Sequence, residues 1–213
     1  MRKVQFANGE HYHVYNRGVD HRQIILDEKD SERFLLGLDY FNSVESIGAI
    51  KAFSDLKDKP RRRPLVNIIA YCLNPNHFHL ILEQLVDNGV SIFVKSLSGG
   101  YAKYFNIRNK RTGTLYEGPF KVKHIADNDY LLHLSSYVNL NDKLHRIGQP
   151  ISKIVRSSWR EFCESKIDGI CIKGIILEQF GSPDEYKKFA LDFLPDMLTK
   201  KGEYKDLENL LFD

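Results

Sequence analysis

Residues 65–84 read LVNIIAYCLNPNHFHLILEQ, and two histidines two residues apart break an otherwise apolar pattern there. Successive side chains on a strand point to opposite faces, so His77 and His79 project from one side and Phe78 from the other. The run Leu80-Ile81-Leu82 that follows marks a strand in a sheet core, where a polar side chain needs a partner to offset its burial. Two imidazoles on one face can grip one cation. They can equally be two histidines satisfied by hydrogen bonds on a half-exposed strand, because a tetrahedral zinc site needs more ligands than they supply. Asn74-Pro75-Asn76 reads as a turn that Asn76 helps to order, joining strands over Leu65–Leu73 and Phe78–Gln84.

Working outward, Glu10–Arg17 alternates enough to be a first strand, and Gly18 ends it. Asp30-Ser31 can cap a helix in which Phe34, Leu35, Leu38 and Phe41 fall at helical spacing through Asn42. Lys57–Pro64 is a charged segment closed by proline and reads as a basic loop. Gly89 to about Asn109 reads as a long helix, although Gly99-Gly100 costs about 1 kcal/mol per residue relative to alanine unless close packing or a kink requires it. Thr114–Glu117 and Lys121–Ile125 look like short strands around Gly118-Pro119, and Asp127 and Asn128 supply caps for a helix from about Asp129 to Asn141.

This order of elements predicts an α+β fold, a ferredoxin-like sandwich with a central antiparallel sheet and helices on one side. The pattern changes near Gly148. Residues 1–150 carry 21 Lys and Arg against 16 Asp and Glu, residues 151–213 carry 10 against 12, and Ser182-Pro183-Asp184-Glu185 opens a helix. A domain over residues 1–148 followed by an accessory helical region over 149–213 is the expected organisation.

Three cysteines with no Cys-x-x-Cys pair suit a reducing compartment. The N-terminus has a basic start but no signal-like apolar core, and no stretch approaches the roughly 20 apolar residues of a membrane span. The expected location is the cytoplasm, with no membrane partner. Within the overall charge of +3, Lys95–His124 holds seven basic residues and one acid, Glu117. Tyr101, Tyr104, Phe105, Tyr116 and Phe120 are interleaved there with Lys103, Arg108, Lys110, Arg111, Lys121 and Lys123. Basic groups neutralise phosphates and aromatic faces stack on unpaired bases, which suits single-stranded nucleic acid. An amphipathic helix with buried aromatics and solvated lysines gives the same pattern.

On the last helix of the first region, Tyr130, Leu131, Leu134 and Val138 share one arc that should face the sheet, with Tyr137 and Asn141 on its edge, one turn apart. A metal at His77 and His79 could meet both, an amide oxygen being a hard ligand and a phenol a nucleophile. A packed core tyrosine and a helix C-cap are the plainer alternatives.

Five blocks now stand in order: Tyr12–Gly18, Ala70–Leu80, Tyr101–Asn106, Gly113–Gly118 and Tyr130–Asn141. Together they resemble the successive motifs of the single-tyrosine HUH transposases and, more narrowly, the REP-associated tyrosine transposases. The resemblance spans about residues 10–148, and Ser157-Ser158-Trp159 with Pro183–Tyr186 is similar to the tail often attached to such proteins. It implies that His77 and His79 are metal ligands, that Asn141 is the polar third ligand, and that Tyr137 is the catalytic nucleophile. It further implies cleavage of single-stranded DNA beside a folded REP-like hairpin, leaving a 5′-phosphotyrosine and a free 3′-hydroxyl, with Mg²⁺ or Mn²⁺ as cofactor. Asn16, Arg17, Lys103, Lys121 and Lys123 are the residues expected to hold DNA. Lys121 or Lys123 is also a candidate to assist the tyrosine, whose free phenol titrates near 10. The tail favours a monomer over a dimer with exchanged tyrosine helices. The sequence departs from the pattern at Asn74, where methionine is frequent, at Pro119, where a basic residue is frequent, and at Asp142, where proline is usual. Two other readings use the same residues: a non-catalytic nucleic-acid-binding regulator, and a metal-dependent nuclease that activates water.

Overall fold

The computed structural model describes residues 4–45, 63–145, 153–164 and 169–199. Most of the basic Lys57–Pro64 segment and the proposed boundary near Gly148 lie outside them. The first strand, β1, covers His11–Arg17 and is followed by a 3₁₀ turn at Val19–His21 and by helix α1, Glu28–Tyr40. Strands β2 (Val66–Leu73) and β3 (His77–Gln84) form the hairpin expected around Asn74-Pro75-Asn76. Helix α2 (Gly89–Arg108), strand β4 (Lys121–Ile125) and helix α3 (Asn128–Asn139) complete the first region. Among the described residues the tail contributes β5 (Arg156–Ser157) and three helices.

The strands lie in the order β4-β1-β3-β2-β5, with every neighbouring pair antiparallel. Four strands and two crossing helices in β-α-β-β-α-β sequence give the ferredoxin-like arrangement. Helices α1 and α2 cover one face, where Phe34, Leu38, Val90, Phe93, Leu97 and Tyr101 pack with Val14, Phe78, Leu80 and Leu82. Gly100 is the close contact between them, because a Cβ there would run into the Phe41 ring, whereas Gly99 has open space.

Helices do not stay on one side, as the element order alone suggested. The opposite face carries Ala70, Cys72, Ile81 and Ile125, too apolar to be left in water, and α3 covers it with Leu131, Leu134 and Val138. Over α3 pack the tail helices α5 (Trp159–Cys163), α6 (Gly174–Leu177) and α7 (Pro183–Thr199) through Phe162, Ile176, Tyr186, Ala190 and Met197. Strand β5 extends the sheet by pairing Cys72 with Ser157 and Leu73 with Arg156.

Three local expectations differ from what forms. Helix α1 starts three residues early: Asp27 caps it by accepting from the Asp30 amide at 3.1 Å, and Asp30 accepts from the Leu26 amide at 2.9 Å. Thr114–Glu117 makes only a bridge between Gly18 and Tyr116, because β1 has already turned into the 3₁₀ segment and leaves no extended neighbour. Helix α3 stops at Asn139; Leu140 leaves the helical region and Asn141 opens a separate turn, α4, Asn141–Leu144. Among the described residues no helix is long and apolar enough to cross a membrane.

Candidate metal and nucleophile site

The site grows from strand register. Pairing of β1 with β3 sets Tyr15 opposite His79 and Arg17 opposite His77, and pairing of β1 with β4 sets Lys121 opposite Tyr15 and Lys123 opposite His13. Directly opposed residues share a face. The two histidines, His13, Arg17 and both lysines therefore stand on the side that α3 covers.

His77 and His79 turn different neighbours to their two ring nitrogens. His77 Nδ1 lies 2.7 Å from Asn76 Oδ1, an atom that only accepts, so Nδ1 carries the proton and Nε2 presents a lone pair. Asn141 Oδ1 sits 3.1 Å from that Nε2. The Asn74 side-chain amide donates to both acceptors, at 2.8 Å to His77 Nε2 and 2.5 Å to Asn141 Oδ1. His79 Nδ1 meets His13 Nε2 at 2.9 Å, while its Nε2 is buried without a hydrogen-bond partner. Tyr137, half-buried on α3, sets its ring edge-on to His79 at 5.7 Å between centroids. His145, just past α4, lies 4.9 Å from His77 in the same sense.

Desolvation keeps these imidazoles neutral. It pulls His77 down to about 3, with His145 as the next cause, and His13 down to about 3, with Lys123 next. His79 is held well below its usual value by burial and then by His77, His13 and His145. Neutral imidazole is the form that ligates a metal. Among the described residues no three His, Cys, Asp or Glu side chains gather as a metal cage. The donor set that does form is two imidazole nitrogens and the Asn141 amide oxygen. Two converging acceptors and one orphaned buried nitrogen fit a cation, since each holds a lone pair with no proton of its own to share.

The expected DNA-binding residues separate into two groups. Asn16, Arg17 and Lys121 line a cavity of about 200 Å³ with Glu117, Gly118 and Pro119 at the histidine end of β1. Asn16 fixes its floor, donating to the Gly118 carbonyl at 3.1 Å and accepting from the Arg17 amide at 2.9 Å. Arg17 pairs with Glu117 at 2.9 Å. Lys123 holds its ammonium over the Tyr130 ring at 4.6 Å. Lys103, by contrast, is exposed on α2, across the sheet from the histidines. Of the aromatics on that helix, Phe93, Tyr101 and Phe105 are core and Tyr104 is partly buried against it; Tyr101 is 2% exposed and donates to the Ile24 carbonyl at 2.6 Å.

Two residues of this constellation, His13 and His145, carry no mark in the sequence beyond their type, and Asn74 is marked there only as part of a turn and as a departure from the family pattern. Asn76, expected only to order a turn, also orients His77.

The structure thus presents a ferredoxin-like sheet whose paired strand histidines face a helix-borne tyrosine. Residues 47–141 match the family described as IS200-like transposases. The matched stretch holds His77, His79, Tyr137 and Asn141. Among solved structures the chain is similar to a REP-associated tyrosine transposase bound to a REP hairpin, at 15% identity. That likeness covers 80% of this chain and 88% of the other with a TM-score of 0.53, so the two share the fold. A candidate transposase from Deinococcus radiodurans R1 is similar at 17% identity over 62% of this chain and 91% of its own, with a TM-score of 0.38. No protein of curated function matches.

Proposed function

We propose that this protein is a metal-dependent transposase that cleaves and rejoins single-stranded DNA beside a hairpin, through a 5′-phosphotyrosine on Tyr137. The observation that carries the reading is Asn141 Oδ1 at 3.1 Å from His77 Nε2 on the sheet face where His79, its buried Nε2 without a partner, meets the Tyr137 ring. His77, His79 and Asn141 would hold the ion, and three neutral donors leave the rest of its shell to water and phosphate oxygens, which suits Mg²⁺ or Mn²⁺. When bound, such an ion polarises the scissile phosphate and stabilises the departing 3′-oxygen.

The protein's own groups do the remainder. Tyr137 Oη attacks the phosphorus, the P–O3′ bond breaks, and the strand leaves with a free 3′-hydroxyl while its neighbour stays esterified at the 5′-phosphate. Because the ester keeps the bond energy, a second 3′-hydroxyl can reverse the step without ATP. Arg17 and Lys121 neutralise backbone charge at the cavity beside His77, and Lys123 adds to the field on the same face. A hairpin partner is supported by the structural relative, which is bound to one.

We read residues 1–148 as the catalytic unit and 149–213 as an accessory region whose described helices pack over the unit's own α3, which favours a monomer. Three free cysteines fit the cytoplasm.

Wild type and Tyr137→Phe, incubated with labelled single-stranded hairpin DNA and Mn²⁺ or EDTA, should differ on a denaturing protein gel. Wild type forms an adduct that needs the metal, and the variant binds DNA nearly as well but forms none. Cleavage without adduct in both proteins would instead establish water as the nucleophile, and steep salt-dependent binding without cleavage would leave a regulator.

A further inference from the structure

We infer that His13 is a positioning residue for the site: it accepts the His79 Nδ1 proton, fixing the ring tautomer that turns the His79 Nε2 lone pair to the metal. The inference rests on the reading of His77, His79 and Asn141 as the ligand set.

His13 sits diagonally from His79 across the β1–β3 pair, two residue pairs along from the Tyr15–His79 opposition. Both rings are deeply buried, at 2% and 5% exposure. Their nitrogens meet at 2.9 Å, with ring planes 18° apart and centroids separated by 5.1 Å. That separation is what two five-membered rings need when they meet nitrogen to nitrogen in nearly a common plane. The contact is therefore an in-plane hydrogen bond and not a face-to-face stack.

A neutral imidazole carries one proton on its two nitrogens, so the pair has two arrangements. If His13 Nε2 donates, His79 keeps its proton on Nε2, where it would face the ion with an N–H. If His79 Nδ1 donates, His79 Nε2 is bare and the His13 proton sits on its own Nδ1, which is buried without a partner. Only the second arrangement leaves a ligand, and only a residue able to accept at the His13 position permits it.

The companion ligand is built the same way. His77 donates its Nδ1 proton to Asn76 Oδ1 at 2.7 Å and turns its Nε2 toward Asn141. Each ligand histidine thus has an acceptor behind it, one supplied by the adjacent residue and one by a strand 66 residues away in sequence. Such partners fix ring orientation and raise ligand basicity. No other element of the proposed reaction requires a polar side chain at His13, which an apolar residue would otherwise fill at lower cost.

Mn²⁺ binding by the DNA-free full chain, followed by the electron spin resonance of the free ion, separates the possibilities. Replacing His13 with phenylalanine should weaken Mn²⁺ binding about 10- to 100-fold. His13→Gln places an accepting amide oxygen at the same reach and should restore most of the affinity. Nitrogen-15 imidazole spectra of the Mg²⁺-loaded wild type should show His79 protonated at Nδ1 and bare at Nε2. Wild-type affinity in His13→Phe overturns the assignment, as does equal loss in the phenylalanine and glutamine variants. So does a His79 ring protonated at Nε2 in the loaded wild type, a result that does not depend on any variant folding. A wild type that binds no Mn²⁺, by contrast, overturns the ligand set itself and the assignment with it.

Discussion

Asn74 stands between two atoms that otherwise repel. His77 Nε2 and Asn141 Oδ1 are both acceptors 3.1 Å apart, and the Asn74 amide holds them by donating to each. Its hydrogens occupy the place that a cation's charge would take. Replacing Asn74 with leucine should cost about 1–3 kcal/mol in the presence of EDTA, the price of two buried acceptors without a donor. Mn²⁺ should restore more of the melting temperature in that variant than in wild type, and an equal metal response in the two would refute this role. At this scale the sequence shows residue types and faces. The two-residue spacing of His77 and His79 was enough to place them together, because alternation on a strand needs no knowledge of neighbours. Asn74 and His13 were not legible, since their roles depend on which residue of another strand or helix lies opposite, and only register decides that.

Between elements, α1 and α2 are tied where the cap of one meets the last turn of the other. Asp27 accepts from the Asp30 amide and pairs with Arg108, which also pairs with the buried Asp30. The Arg108 guanidinium, as the largest cause, pulls the Asp27 carboxyl down to about 2. With the native value below the unfolded one near 3.8, the unfolded chain binds more protons between them. The stabilisation is complete above about pH 4 and is lost as pH falls toward 2. Asp27 is half exposed, so the pair contributes below about 1 kcal/mol. Asp27→Asn keeps the capping oxygen and should flatten that acid limb in denaturant titrations while leaving the helix start unchanged. The elements themselves were readable from periodicity, as β2, β3, α2 and β4 illustrate. The start of α1 was misplaced because Asp27 and Asp30 are equally good caps by composition, and the ion pair with Arg108 on α2 separates them only in space.

Across the whole molecule, the tail and α3 are joined by a buried polar knot. Tyr186 Oη lies 3.1 Å from Ser135 Oγ and accepts from Asn139 Nδ2 at 2.8 Å, while Ser158 donates to Asn139 Oδ1 at 2.5 Å. Tyr186→Phe leaves the Asn139 amide short of a partner and should cost about 1–3 kcal/mol. Hydrogen exchange should speed up along α3, the helix that carries Tyr137, and unchanged exchange there would show that the tail merely rests on it. The second covered face escaped the sequence for a related reason. Ser135, Ser136 and Asn139 look like the wet side of an amphipathic helix, and the tyrosine that dries them comes 47 residues after Asn139.

Charge at the mouth of the site has its own consequence. Arg17, Lys121 and Glu117 line one cavity, and the carboxylate already occupies the guanidinium. The corner offers a strand one net positive charge from two cationic side chains. On the proposed function, Glu117 is a tethered counterion: a phosphate reaching Arg17 would have to exchange with it, and the carboxylate would be at hand to close behind a departing phosphate. That exchange would, on the same reading, loosen the hold on a strand at this corner and speed its release.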